Sequence, residues 1–154
     1  MQKLFIFLTI WISFGSAQAF GDFPLASCKG NGGTIIEKTG VNSTKALMKG
    51  IITKADMHEY CERDPGGSTV KNGGTETLDS CVESGYQQVK DTQLIAIANC
   101  ETGVLIMRGY RHSSETKVRF PLADNADKSC ASGMPPLIEQ FKMLCPKAAA
   151  QLKM

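Results

Sequence analysis

Six cysteines constrain this chain more than any other feature of its sequence. They lie singly and far apart, so no pair has the C-x-x-C spacing that zinc ribbons, redox motifs and haem attachment require. In a chain of 154 residues, this pattern indicates structural disulfides that stabilise a small domain in an oxidising compartment. The six are Cys28, Cys61, Cys81, Cys100, Cys130 and Cys145.

Six cysteines allow many pairings, and spacing alone does not choose between them. We predict that Cys61 pairs with Cys81, because the two lie on neighbouring predicted helices. We further predict the pairs Cys100 with Cys145 and Cys28 with Cys130.

The first 19 residues have the three parts of a secretory signal. Lys3 supplies the cation, an apolar stretch follows, and Ala17-Gln18-Ala19 has the small-x-small pattern of a cleavage site. The apolar stretch is too short to span a membrane. We therefore predict cleavage between Ala19 and Phe20, which yields a periplasmic or secreted bacterial protein.

A lipoprotein signal is the competing interpretation. Leu25-Ala26-Ser27-Cys28 has the residue pattern of a lipoprotein cleavage box, but Asp22 and Pro24 separate it from the apolar stretch. Lipidation of Cys28 would also leave an odd number of cysteines in an oxidising compartment. We favour the form without a lipid.

The charge of the chain points to no class of partner. The formal net charge is +2, and Lys3, which leaves with the signal, is one of the contributing cations. A balance this close to zero gives no reason to expect nucleic acid. We expect no cofactor, no nucleic acid and no membrane span, and the oligomeric state stays open.

Hydrophobic periodicity and turn residues predict an α+β fold. Thr53 and Asp56 form a capping pattern before a helix over 54–63, and a second short helix over 76–84 ends at Gly85. A short strand at 34–38 precedes them. Three strands at 92–100, 104–111 and 116–122 form an antiparallel meander. A last helix follows Pro135-Pro136 and covers one sheet face, so that residues 20–146 make one disulfide-stabilised domain and residues 147–154 a flexible tail.

The register of this meander predicts a candidate binding site. If Arg111 faces Thr116, one sheet face collects the apolar residues, including Ile95 and Ile97, and the reverse face carries cations. Like charges directly opposite each other are destabilising. An intramolecular carboxylate such as Glu101 or Glu115, or plain solvation, offsets that repulsion, or an acidic partner binds there. The candidate binding residues are Arg108, Tyr110, Lys117 and Arg119, with Arg108 opposite Arg119 and Tyr110 opposite Lys117.

No motif in the sequence predicts catalysis. His58 and Glu62 are one helical turn apart, but two ligands do not make a metal site. His112 lies beside Ser113 in a predicted hairpin tip, where neighbours in sequence do not align as base and nucleophile. We predict no metal site and no catalytic residue, and we favour a protein that is not an enzyme.

Three hypotheses for function follow. The leading one is a small exported, non-enzymatic protein that binds a protein or another component of the envelope. The first alternative is an inhibitor or immunity-type protein that blocks a hydrolase in the same compartment. The second is a small envelope hydrolase whose site assembles from distant residues such as His58, His112 and a carboxylate.

Overall fold

The structure is a computed structural model that describes residues 21–25, 32–109 and 115–152. The predicted signal peptide and its cleavage site, Cys28, Tyr110 and His112 all lie outside these residues. Within them, the chain forms an α+β fold with four α-helices and one six-stranded antiparallel sheet. The α+β class is therefore confirmed.

The sheet has six strands and not the predicted three-stranded meander. Three strands precede the first helix, so the two helices predicted at the N-terminus follow half of the sheet. Of these three strands, only the one at 34–38 was predicted. All six strands lie side by side in chain order. The strands are β1 (Asp22–Pro24), β2 (Gly32–Thr39), β3 (Ala46–Ile51), β4 (Gln93–Asn99), β5 (Val104–Arg108) and β6 (Thr116–Arg119). The helices are α1 (Lys54–Arg63), α2 (Leu78–Val89), α3 (Met134–Leu144) and α4 (Pro146–Gln151).

The prediction missed β3 because its composition is poor in strand-forming residues. Ala46, Met48 and Gly50 form its inner face, and all three are buried. A Cβ on Gly50 would lie 2.7 Å from the Phe23 ring, so only glycine leaves room for that side chain. Packing in the centre of the sheet therefore overrides the weak local propensity of this segment.

The core lies between one face of the sheet and the helices. Leu94, Ala96 and Ala98 of β4 are completely buried on that inner face. Helix α3 packs against β1, β3, β4 and β5, and its Phe141 stacks on Phe120 with ring centroids 4.5 Å apart. The predicted role of the last helix, as the cover of one sheet face, is confirmed.

Helix α1 begins where the sequence predicts. The backbone N–H of Asp56 donates to Thr53 Oγ1 at 3.1 Å, and the N–H of Thr53 donates to Asp56 Oδ2 at 2.7 Å. This reciprocal pair is a capping box, which satisfies two donors that a helix start otherwise leaves to water. The helix ends at Asp64, before Pro65, as predicted.

Replacing Thr53 by Ala is expected to lower the free energy of unfolding by about 1 kcal/mol, because the cap bond is lost. Chemical denaturation followed by circular dichroism measures the change. Thr53→Ser keeps the hydroxyl and serves as the control, with an expected change of a few tenths of a kcal/mol. Equal midpoints for Thr53→Ala and the parent chain would contradict the assigned cap.

The sequence predicted that the second helix ends at Gly85, and this prediction is wrong. Helix α2 continues through Gly85 to Val89. A Cβ on Gly85 would lie 2.6 Å from Met57 Sδ. The glycine therefore lets α1 and α2 approach closely and does not mark a helix end. The Cys61–Cys81 disulfide joins the same two helices.

Two predicted disulfides are confirmed. Cys61 is bonded to Cys81, and Cys100 at the end of β4 is bonded to Cys145 after α3. Cys130 is also disulfide-bonded, and its predicted partner Cys28 lies outside the described residues. None of the described cysteines is free.

The chain continues past Pro146 as α4, where the sequence predicted a flexible tail from residue 147. Pro146 opens this helix, and Ala149 is buried against the core. Asn42 of the β2–β3 turn supplies the missing cap, because its Oδ1 accepts from the backbone N–H of Lys147 at 2.9 Å. A distant side chain thus stabilises a helix whose own sequence has no capping residue.

None of the helices in the described ranges is long and apolar enough to cross a membrane.

Candidate functional site

The helices cover the inner face of the sheet, and the outer face is the candidate site. Directly paired residues of antiparallel strands share a face, so the register follows a row across four strands. In the central row, Leu47 of β3 pairs with Ile97 of β4, Ile97 with Ile106 of β5, and Ile106 with Lys117 of β6. We call this outer surface of β3, β4, β5 and β6 the open face.

The centre of the open face is apolar. Its apolar residues are partly exposed, and none of them packs against the buried core. Antiparallel sheets normally present polar residues on a face that is left to water, so this composition needs another explanation. We call five of them the apolar patch: Leu47, Ile95, Ile97, Val104 and Ile106.

Three predicted binding residues lie on the open face, in a different register from the one predicted. Lys117 pairs with Ile106, and Arg119 pairs with Val104. The predicted pairing of Arg108 with Arg119 is therefore wrong, and Tyr110 lies outside the described residues. Arg108 is instead paired with Ile95 on its other side.

The predicted distribution of apolar residues was also wrong for β4. Ile95 and Ile97 lie on the open face, whereas Leu94, Ala96 and Ala98 face the core. Both faces of β4 are apolar, so alternation in the sequence does not distinguish them. The two isoleucines therefore lie on the same sheet face as the cations and not on the opposite one.

The described residues place four cations on the open face, and two of them are already paired. Arg108 Nη2 lies 2.7 Å from Glu115 Oε2, which is one of the two carboxylates that the sequence offered as its counter-ion. Lys49 Nζ lies 2.8 Å from Glu37 Oε2. Within the described residues, Lys117 and Arg119 have neither an ion pair nor a side-chain hydrogen bond, and both are exposed.

The sequence missed the apolar patch for two reasons. Leu47 belongs to the strand that was not predicted, and Ile95 and Ile97 were placed in the core. One signal for the patch was present: residues 94–98 form an unbroken apolar run, which is typical of a strand that is covered on both faces. The helices cover only one of those faces.

A second surface feature lies beside the helices α1 and α2. A cavity of 380 Å³ opens between α1 and α2, beside the Cys61–Cys81 disulfide, and Val70, Lys71 and Leu78 are among its lining residues. The loop that forms its wall is held by Asp64. The loop therefore has a structural role that can be tested separately from binding.

Asp64 is 7% exposed and accepts five hydrogen bonds from the loop that follows it. The donors are the N–H and hydroxyl groups of Ser68 and Thr69 and the amide of Asn72. These bonds, first that from the Thr69 hydroxyl and then that from Asn72, hold the pKa of Asp64 well below its usual range. The ionised carboxylate of Asp64 thus holds the loop in place.

Replacing Asp64 by Asn is expected to lower the melting temperature at pH 7, because the amide group brings a donor where the loop supplies only donors. Asn tolerates the left-handed backbone of this residue, at φ 43°, so backbone strain does not add to the effect. A carboxylate whose pKa is lower in the folded than in the unfolded chain stabilises the fold at pH values above its unfolded pKa. This stabilisation decreases as the pH falls towards the folded pKa.

The gap in melting temperature between the parent and Asp64→Asn should therefore narrow as the pH drops below about 4. Thermal denaturation between pH 7 and pH 2.5 measures it. Asp124→Asn, at an exposed loop position, is the control. A gap that stays constant over this range would contradict the role of the carboxylate charge.

His58 has the predicted position on an exposed helix face. Its Nδ1 lies 3.8 Å from Glu62 Oε2, and the two side chains are about half exposed. No group of three or more His, Cys, Asp or Glu residues that could hold a metal ion occurs in the described part of the chain. His112, the other histidine named in the hydrolase hypothesis, lies outside it.

Comparisons of the chain with protein-family models, with curated proteins and with solved structures found no match.

Proposed function

We propose that the mature protein is a non-enzymatic binding protein of a bacterial envelope, periplasmic or secreted, and that it binds a protein or another envelope component through the open face. One observation carries the proposal: the apolar patch has no cover from the described helices and borders on cations. A contiguous apolar surface with a polar rim is typical of an interaction site. The predicted binding residues Arg108, Lys117 and Arg119 are among the charged members of this site.

The disulfides support a binding protein outside the cytoplasm in two ways. Structural disulfides form and persist in oxidising compartments. They also hold the sheet and helices in one arrangement, which reduces the ordering that a binding surface must undergo when its partner arrives.

The experiment that tests this function is capture from envelope extract. The oxidised mature chain, residues 20–154, is immobilised, and the same chain after reduction and alkylation serves as the control. Enrichment of one defined component by the oxidised chain alone supports the proposal. If neither protein nor glycan is enriched, the binding function is wrong.

The predicted export can be checked independently of binding. Intact mass spectrometry of the secreted or periplasmic protein is expected to give a first residue of Phe20 and no free thiol. Stoichiometric labelling of a cysteine by a thiol reagent under denaturing, non-reducing conditions would contradict the disulfide assignment. A diacylated Cys28 would contradict the cleavage site and establish the lipoprotein form.

A further inference from the structure

We infer that the occupant of the open face is a protein surface with apolar residues at its centre and carboxylates at one edge. This inference rests on the proposed function and adds the chemistry of the partner. It follows from the placement of the charges around the apolar patch.

Among the residues that the structure describes, the unpaired positive charge of the open face lies on one side. Lys49 and Arg108 already have their carboxylates, at 2.8 and 2.7 Å. The two cations of β6, Lys117 and Arg119, have no such partner among the described residues. They are two residues apart on one strand, so their side chains emerge on the same face at a separation of roughly 7 Å. Two carboxylates at a similar spacing on a partner would complement them.

The apolar patch determines the rest of the partner's surface. Leu47, Ile97 and Ile106 form a row across three strands, and this row runs directly into Lys117. A free anion or an acidic glycan would neutralise the cations but would leave the patch exposed to water. A protein surface with apolar side chains and adjacent carboxylates covers both parts, and apolar centres with charged rims are usual in protein interfaces.

The same charges disfavour a second copy of this chain. In a face-to-face dimer, the open faces of both copies would bring their unpaired lysines and arginines into one interface. Like charges across an interface oppose association. The chain therefore lacks the self-complementarity that a symmetric dimer through this face requires.

The open face also differs from a membrane-binding surface. The described residues place no aromatic side chain on it, and the apolar side chains are only partly exposed. Helices and faces that lie in a bilayer interface typically present aromatic and leucine side chains to the acyl region. An apolar row that ends at an unpaired lysine fits a protein surface better.

The test uses the protein captured from envelope extract, identified by mass spectrometry and then purified. Its dissociation constant is measured by isothermal titration calorimetry with the oxidised chain at 50 and 300 mM NaCl. We expect the double substitution Lys117→Glu and Arg119→Glu to weaken binding by roughly a hundredfold at the lower salt concentration. Lys128→Glu, which reverses an exposed charge outside the strands of the open face, is expected to leave the constant unchanged.

The apolar part of the interface is tested by a second pair of variants. Ile97→Thr with Ile106→Thr keeps β-branched side chains in both strands and removes apolar area, and we expect binding to weaken about tenfold with its salt dependence retained. Val70→Thr, at an exposed valine between α1 and α2, should have no effect. Near-ultraviolet circular dichroism of each variant verifies that its fold is intact.

The outcomes of these experiments distinguish failure of this inference from failure of the proposed function. If the purified protein binds all variants equally, the partner uses another surface, which overturns this inference and leaves the proposed function in place. The inference is also overturned if vesicles of phosphatidylglycerol and phosphatidylethanolamine bind the chain, or if sedimentation shows a dimer that Ile106→Thr disrupts. If the charge reversals cause aggregation while binding by the remaining monomer is unchanged, the cations only protect the edge of the sheet. Capture of nothing at all overturns both proposals.

Discussion

Replacing Cys100 and Cys145 together by Ser is expected to lower the free energy of unfolding by about 4 kcal/mol. The bond closes a loop of 45 residues between the end of β4 and the end of α3, and a cross-link over such a loop mainly restricts the unfolded chain. Both cysteines are at or near the core, where Cys145 is completely buried. Equilibrium unfolding in guanidinium chloride, followed by circular dichroism, measures the change.

The Cys61–Cys81 bond is the matched control for this variant. It spans 20 residues, so its removal is expected to cost about 3 kcal/mol by the same argument. Because the Cys100–Cys145 bond holds α3 over the sheet, its loss should also expose the inner face and change the near-ultraviolet spectrum. If the variant without Cys100 and Cys145 were as stable as the parent, the assigned Cys100–Cys145 bond would be contradicted.

Replacing Leu105 by Thr is expected to lower the free energy of unfolding by about 3 kcal/mol, because it removes buried apolar volume and buries a hydroxyl without a partner. Leu105 is 1% exposed and faces the core. Its neighbour Ile106 lies on the open face, and Ile106→Thr is expected to cost about 1 kcal/mol or less. The same measurement serves both variants.

This pair of substitutions tests the face assignment on which the binding proposals depend. Adjacent residues of a strand point to opposite sides of the sheet, so the two effects should differ by several fold. Equal losses would mean that Ile106 is as well covered as Leu105. The open face would then not be available to a partner.

The apolar patch of the open face should matter more for binding than for stability. Residues of the apolar patch do not pack against the buried core, so they contribute less to folding than their apolar character suggests. A partner that covers them would gain the free energy of burial that the isolated domain leaves unused. Conservative substitutions in the apolar patch should therefore weaken binding while they change the free energy of unfolding only slightly.

Local chemistry made several features predictable from the sequence. The capping box at Thr53 and Asp56 requires only residues within one helical turn, so α1 was predicted with both its ends. The strands β4, β5 and β6 were located because turn residues separate their apolar runs. The pairing of Cys61 with Cys81 followed from the two helices that carry them.

Features that depend on distant contacts were not predictable in this way. Gly85 has the sequence appearance of a helix end, but its contact with Met57 of α1 explains why a glycine lies within α2. Asn42 caps α4 from more than a hundred residues away in the chain. Neither contact leaves a local signal, because each joins segments that only the folded chain brings together.

The sequence by itself determined the α+β class and the first helix, and it supplied the cationic side chains that we assign to the candidate site. Only the tertiary structure decided which face of β4 is buried, and with it the surface on which those cations lie. The physical reason is that a strand with two apolar faces is consistent with either orientation. Alanines at 96 and 98 lie inward, beneath α3, and Ile95 and Ile97 face outward. A shift of one residue in register exchanges the two faces, and the packing of α3 on the sheet determines which is observed.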